Sequence, residues 1–453
     1  MTGRRLTSLL AYATTMAAAA SLLTGCGVLP GVTAGSKEPV TVMTWAPDRT
    51  RATNMPGMPA MAQAYARWVN ANGGIDGHEL RVLTCNEQNT GAGAAACARR
   101  AAREGAVAVV GSYSQHGNSF MAPLEAAGIP YIGGYGVSEG EFTSSLSYPV
   151  NGGVAALVAG HGTQLAASCR EVALVRPDTI AGDRLPDLLN AGLRRTGHDG
   201  AFDIPAPEDA DEYTRQAGQA RTRAGGTDGC VAAVLGERTQ VFFDSYRRLP
   251  ADGQGATDRQ ETAGQAANGQ ETADGQATAG DGSVPPPGEG ATRISSVLGS
   301  VDQPLIDRTG GAHGPFEGAY VTGWYPQADD PAWQPMRKVI KEHAFADNRV
   351  DPTDAGVQTT WIAYTVLRRL VESLDSDRIT PLQLSHALDQ GARIETGGLT
   401  PPLRWRYDDL LGAPDFPRIV NHAVTFQVVR QGRLVAQRPG FVDVGKTIVA
   451  GPS

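Results

Sequence analysis

The sequence predicts an α/β chain of two doubly wound units, each a mostly parallel sheet covered by helices. Three observations carry this. Between residues 67 and 134, strand-like and helix-like runs alternate without interruption;. A second alternating set follows between residues 152 and 249. The length of 453 residues exceeds that of one ordinary domain, and 41% hydrophobic content is enough for a proper core in each unit;.

The first unit starts with a strand at 40–44, followed by Trp45-Ala46-Pro47 and a long loop to Pro59. Residues 60–72 are helical, with Met61, Tyr65, Trp68 and Val69 on one face, and Gly73-Gly74 ends the helix in a left-handed turn;. A strand is predicted at 80–84 and an Ala- and Arg-rich helix at 92–104. Residues 106–110 are wholly apolar, as suits a strand buried on both faces;. Gly111 breaks that run, and the polar loop 112–118 leads to a helix at 120–127 and a strand at Tyr131-Ile132, closed by Gly133-Gly134. Parallel doubly wound sheets bind ligands outside the carboxyl ends of their strands. That rule places loops 112–118 and 134–138 side by side at a crevice, with Trp45 as a further lining candidate.

Tyr148-Pro149-Val150-Asn151 reads as a first crossing to the second unit, whose lead helix is 152–167. Strand 172–175 ends in the loop 176–182, which contains Ile180. Helices 185–196 and 211–223 precede strand 231–235 and the loop Gly236-Glu237-Arg238, and helix 239–249 follows. Residues 251–290 differ in kind: Gly, Ala, Gln, Thr, Asp and Glu dominate, and Gln260-Glu261-Thr262-Ala263 recurs at 270–273. Such a segment buries too little apolar surface to order itself, so it is expected to be a disordered insert. Strand 294–298 follows and ends at Gly299-Ser300-Val301-Asp302, on the crevice side. Helices are predicted at 336–343, 356–374 and 381–389, and a hairpin at 425–435. The stripe of Val357, Trp361, Tyr364, Leu367 and Leu370 is core by its helical spacing;.

The net charge is −8, and more acidic still without Arg4 and Arg5, so the chain lacks the basic footprint of a nucleic-acid binder;. Residues 1–25 read as an export signal: a basic start, a mostly apolar run over 9–23, then small residues;. Leu23-Thr24-Gly25-Cys26 resembles the bacterial lipobox, which implies lipidation of Cys26 and a tether over 26–39 on the outer face of the cell membrane;. The other reading of this leader is ordinary signal-peptidase cleavage nearby.

Asn70-Ala71-Asn72-Gly73-Gly74-Ile75-Asp76-Gly77, then Val109-Val110-Gly111, then Gly128-Ile129-Pro130-Tyr131-Ile132, resemble the first lobe of the type I periplasmic binding proteins, closest to the leucine/isoleucine/valine-binding group. The resemblance extends over about 40–442, apart from the insert. It implies two lobes joined by three hinge crossings with a ligand cleft between them. Lobe one would comprise 40–149 and 321–397; lobe two would comprise 150–320 and 398–445, with a tail at 446–453. The second crossing would be the strand 317–322, and the final return would lie at 398–405.

The family's function implies the lipid-anchored solute receptor of an ABC importer, monomeric, with a membrane permease as partner and a small polar ligand such as a branched-chain or other amino acid or an amide-like solute. The alternative is a ligand sensor that docks on a signalling protein. In relatives the loops matching Ser112 to Gln115 and Tyr135 to Ser138 hold the ligand carboxylate. That implicates Tyr113, Ser114, Gln115, Tyr135, Gly136 and Ser138. Ser300 lies at the same crevice, and Glu237 and Asp302 are the acids available for an ammonium group. The chain departs from relatives at Ile180, where they often carry Tyr, and in the run Tyr113-Ser114-Gln115-His116.

Five cysteines are present; setting Cys26 aside leaves Cys85, Cys97, Cys169 and Cys230. In an oxidising compartment they are expected to pair. Cys85 ends a strand and Cys97 lies on the next helix, whereas Cys169 and Cys230 each start a strand, and the starts of neighbouring parallel strands lie together. The pairing expected is therefore 85 with 97 and 169 with 230. A zinc site is the rival, but there is no Cys-x-x-Cys and the eight histidines are scattered;. No nucleophile elbow, Walker motif or His-Glu-x-x-His is present, so neither an enzyme nor a cofactor is expected;. Glu139 and Glu141 read as a solvated pair.

Overall fold

The computed structural model describes residues 37–51, 53–179, 181–195, 197–226, 228–250 and 292–450. The readings made for the leader, Cys26, most of the tether and the insert at 251–290 lie outside them.

Lobe one alternates as expected: β1 (Lys37–Trp45), α1 (Gly57–Ala71), β2 (His78–Cys85), α2 (Gly91–Arg103), β3 (Ala108–Val110), α3 (Gly117–Ala127), β4 (Tyr131–Ile132), the short α4 (Gly140–Thr143) and β5 (Ser147–Tyr148). All five strands are parallel, in the order β2-β1-β3-β4-β5. Strand alternation sorts the side chains of β1 between two layers. Val40 and Val42 face α1, whereas Met43 and Trp45 face α2 and α3. Helix ends follow local chemistry: Thr90 accepts from the Gly93 N–H to cap α2, and α3 stops at Gly128 in the left-handed region, with φ 64°;.

Lobe two runs α5 (Gly153–Ala166), β6 (Glu171–Pro177), α6 (Leu185–Arg194), β7 (Phe202–Ala206), α7 (Thr214–Ala224), β8 (Gly229–Ala233), α8 (Thr239–Arg247), β9 (Arg293–Val297), α9 (Gln303–Arg308) and β10 (Tyr320–Gly323). The chain then returns to lobe one for α10 (Gln334–His343), α11 (Ala355–Leu374) and α12 (Pro381–Asp389). It ends in lobe two with β11 (Ala423–Arg430), β12 (Arg433–Ala436), β13 (Val442–Asp443) and α13 (Gly445–Ala450). The second sheet has eight strands in the order β12-β11-β10-β9-β8-β6-β7, with β13 paired to β11. From β10 to β7 it is parallel; β11 is antiparallel to β10, and β12 and β13 are each antiparallel to β11.

Several boundaries differ from expectation. Tyr148 pairs within the lobe-one sheet before the chain crosses. The run 317–322, read as a hinge strand, contributes most of β10, a full strand of lobe two, and the crossing comes after it. Leu399, Leu403 and Trp405, read as part of the return, are still packed in the larger core built on lobe one, and Leu403 bridges back to Ile394. β7 was not foreseen; its Pro205 suits an edge position, where one side of the strand needs no partner;.

Both disulfides form as expected. Cys85–Cys97 and Cys169–Cys230 have Cα–Cα separations of 5.8 and 5.7 Å, each inside one lobe;. Three crossings join the lobes, and buried hydrogen bonds tie them together. Asn151 Nδ2 donates to the Tyr325 hydroxyl at 2.9 Å, Asn421 Nδ2 to the Val150 carbonyl at 2.9 Å, and Trp405 Nε1 to the Pro149 carbonyl at 3.0 Å.

Candidate functional site

The carboxyl ends of β3 and β4 in lobe one face those of β6, β8 and β9 in lobe two across a cleft of about 500 Å³. The lobe-one side is aromatic. Tyr113 follows β3 and Tyr135 follows β4; their rings meet edge to face at 5.2 Å, and Tyr135 meets Trp324, just after β10, at 5.1 Å. Trp324 is held by its Nε1, which donates to the Gly153 carbonyl at 2.8 Å. The lobe-two side is aliphatic: Val154, Leu157 and Val158 of α5, Leu185 of α6, and the strand-end residues Val234, Leu235, Val297 and Leu298. Polar groups are few, namely Thr53, Gln115, His116, Thr179, Glu208 and Ser300.

Glycines let the lobes meet. A Cβ on Gly136, whose φ is 88°, would lie 2.7 Å from the Gly153 Cα, and one on Gly299 would lie 2.5 Å from the Tyr135 hydroxyl. The backbone closes the first approach, where the Val154 N–H donates to the Gly136 carbonyl at 2.9 Å.

The donors expected to hold a ligand carboxylate are already engaged by the protein's own acids. Gly136 N, Val137 N and Ser138 N donate to the Glu141 carboxylate at 3.0, 3.1 and 3.0 Å, and Ser138 Oγ donates to it at 2.8 Å. Glu141 is 1% exposed, so the solvated pair expected with Glu139 does not form. Burial pushes its carboxyl up, against the opposing pull of those four donors;. Ser114 is likewise buried, and its Oγ donates to the buried Glu87 at 3.3 Å. Burial also pushes Glu87 up.

Tyr113, Gln115, Tyr135 and Ser300 line the cleft as expected. Ser300 Oγ accepts from Gly236 N at 3.1 Å and keeps its own proton to donate. Gly136 and Ser138 line an adjoining groove of about 380 Å³ beside the start of α3. Three expectations are corrected. Trp45 is fully buried against Phe120 and Tyr131, at 5.3 and 5.9 Å, because β1 runs one residue further than expected and its alternation turns the indole away from the cleft. Ser114 turns inward to Glu87. Asp302 faces a different cavity, of about 410 Å³, and caps α9 by accepting from Leu305 N at 2.8 Å. Ile180 and the side chain of Glu237 lie outside the described residues.

Trp324, the α5 face and Thr53 were not foreseen: Trp324 follows β10, whose run reads as a hinge crossing, α5 presents a helix face, and Thr53 lies well along the loop after β1, away from the strand end. Arg238 was also passed over, although it stands beside Glu237. It lines a smaller recess of about 140 Å³ with Arg51, Asn54 and Tyr213, and this recess shares Thr53, Pro177, Glu208 and Leu235 with the main cleft. Among the described residues, no group of three or more His, Cys, Asp or Glu is placed to hold a metal ion.

The fold is shared with many solved proteins. A possible leucine/isoleucine/valine-binding protein from Rhodopirellula baltica aligns over 90% of this chain and 98% of its own, with a TM-score of 0.66 at 12% identity. A branched-chain amino acid ABC transporter protein from Thermus thermophilus with bound valine aligns over 91% and 98%, at 0.65 and 13%. An ABC-transporter solute-binding protein from R. palustris in complex with 4-hydroxybenzoate aligns over 90% and 97%, at 0.63 and 11%. A sequence search of curated proteins found no match. The family profile described as periplasmic binding protein matches residues 50–280, half of the chain. With two parallel-sheet lobes, three crossings and an interlobe cleft, this chain belongs to the periplasmic binding proteins, in their type I arrangement.

Proposed function

We propose that the protein is an extracytoplasmic solute receptor of an ABC importer, anchored through a lipid on Cys26, and that it captures a small organic solute by hinge closure. The observation that carries this is the cleft itself: both lobes wall it, the three crossings meet beside it, and its volume of about 500 Å³ falls in the range of small-ligand sites, roughly 300–1,000 Å³;. A solute bridging both walls favours the state in which they are close, and a membrane permease can read that state. The valine and 4-hydroxybenzoate bound by proteins of the same fold are small carboxylates with apolar bodies.

Thermal-shift screening against small organic solutes, followed by uptake assays in cells lacking the gene, tests the receptor reading. A solute that raises the melting temperature should also be the one whose uptake fails. At a concentration of about 100 times Kd, binding adds about 2.7 kcal/mol, which is easily read. Replacing Cys26 with Ser should move the protein from membranes to the medium or leave an unprocessed precursor. Retention on membranes at mature size would remove the lipid anchor from the reading.

A further inference from the structure

The cleft's charge arrangement narrows the solute class, and this inference rests on the receptor reading above. An amino-acid site needs donors for a carboxylate and an acid for an ammonium group. In this cleft the lobe-one donors Gly136 N, Val137 N and Ser138 N are spent on Glu141, and Ser114 Oγ on Glu87. Asp302 is spent on its helix cap and faces another cavity.

The cation at the cleft is in lobe two. Arg238 is half-buried in the turn after β8; its backbone N–H donates to the Leu235 carbonyl at 3.1 Å, and its guanidinium makes no ion pair or hydrogen bond among the described residues. The exposed Arg51 lines the same recess from lobe one. Among the described residues Glu208 is the one acid in that recess, and it is exposed, so two cations stand against one solvated anion where the recess opens into the apolar cleft. A guanidinium held half-buried beside apolar walls is well suited to a planar carboxylate, which it binds through two parallel N–H groups.

We propose that the site takes an organic anion whose apolar, ring-sized body lies between Tyr135, Trp324 and the Leu157 face of α5, and whose carboxylate meets Arg238. The aromatic edges of Tyr113, Tyr135 and Trp324 favour a flat body, by the same edge-to-face geometry they adopt with one another;. Among the described residues, Glu208 is the one acid that lines the cleft, and it is exposed to solvent.

The test uses matched probes on the purified exported protein, read by isothermal titration and tryptophan fluorescence. Benzoate, 4-hydroxybenzoate and phenylacetate are each compared with their amide and amine counterparts, and L-valine is included. At least one carboxylate should bind about tenfold or more tighter than its amide, as expected for a hydrogen-bonded charged group. Arg238→Gln should remove that preference while leaving amide binding and the melting temperature of the free protein unchanged. If amides, amines or valine bind as well as the carboxylates, or if Arg238→Gln leaves the preference intact, the cleft is a solute site but its anion selectivity is wrong. If no probe of any charge binds, the proposal falls, and if the broader uptake screen is also empty the receptor reading falls with it.

Discussion

The two walls of the cleft solve different problems. The lobe-one wall is internally complete: Glu141 and Glu87 accept the hydroxyls and N–H groups of its loops, and the aromatic rings are braced by one another and by the hinge. The lobe-two wall is aliphatic and still has unspent groups, the Ser300 proton and the Arg238 guanidinium. A donor at the expected place in a fold is therefore not yet a ligand donor; what matters is whether the chain has already used it. Lobe one presents an aromatic wall whose loop donors are held by buried acids, and the contact proposed to select an anion lies in lobe two.

The largest expected effect breaks the lobe-one wall. Glu141→Ala leaves three loop N–H groups and one hydroxyl without their buried acceptor. It should destabilise the protein by about 3 kcal/mol or more, since each hydrogen bond to a charged group contributes about 1.5–3 kcal/mol and not all are lost independently. Urea unfolding would measure it, and a loss below about 1 kcal/mol would mean that water replaces the carboxylate and the loop is not self-contained.

Next in size is the hinge that both walls share. Asn151→Ala removes the bond to the Tyr325 hydroxyl and the side-chain acceptor of Gly153 N at 2.9 Å. A loss of about 2 kcal/mol is expected. An unchanged unfolding midpoint would show that the crossings are held by packing alone.

A smaller change tests how closely the walls meet. Gly299→Ala places a Cβ against the Tyr135 hydroxyl at a backbone φ of 86°, so about 1–2 kcal/mol of strain is expected;. Small-angle scattering should report a larger radius of gyration as the walls part. Adding Tyr135→Phe should restore the steric part, and failure of the double variant to recover any compactness would argue against this contact.

The smallest effect concerns like charges facing each other from the two lobes. Asp354 caps α11 by accepting from Val357 N at 2.8 Å. Burial first, then the nearness of Asp302 and Asp351, pushes its carboxyl up to about 6 from the ordinary 3.8. A raised folded-state pKa means the protonated form is favoured on folding. That stability is complete below pH 3.8 and is lost as pH rises through about 6;. Asp354→Asn keeps the cap without the charge, so it should stabilise the protein at pH 7 by on the order of 1 kcal/mol and make little difference near pH 4. Thermal melts across that range read it, and equal effects at both ends would reject the repulsion.

The order of strands and helices was legible because it depends on local periodicity and on glycine punctuation. The parallel strands, the long α11 and both disulfide pairs follow from such signals. The site was legible only as far as the crevice rule reaches: Tyr113, Gln115, Tyr135 and Ser300 sit where loops after parallel strands should. Ser114 and Ser138 stand on the expected loops, but their hydroxyl partners are acids whose burial no local pattern announces. Trp45 failed through a single extra strand residue. Arg238 was overlooked because an amino-acid ligand was expected, which drew attention to its acidic neighbour.

The disulfides close loops of very different length, 12 residues in lobe one and 61 in lobe two. Loop-closure entropy gives the first about 3 kcal/mol and the second about 4 kcal/mol. Reduction should therefore weaken the two halves unequally, and the half that carries the selective charge has more to lose. Protein made in a reducing cytosol would be expected to unfold from lobe two first, leaving an aromatic floor with nothing to close over it.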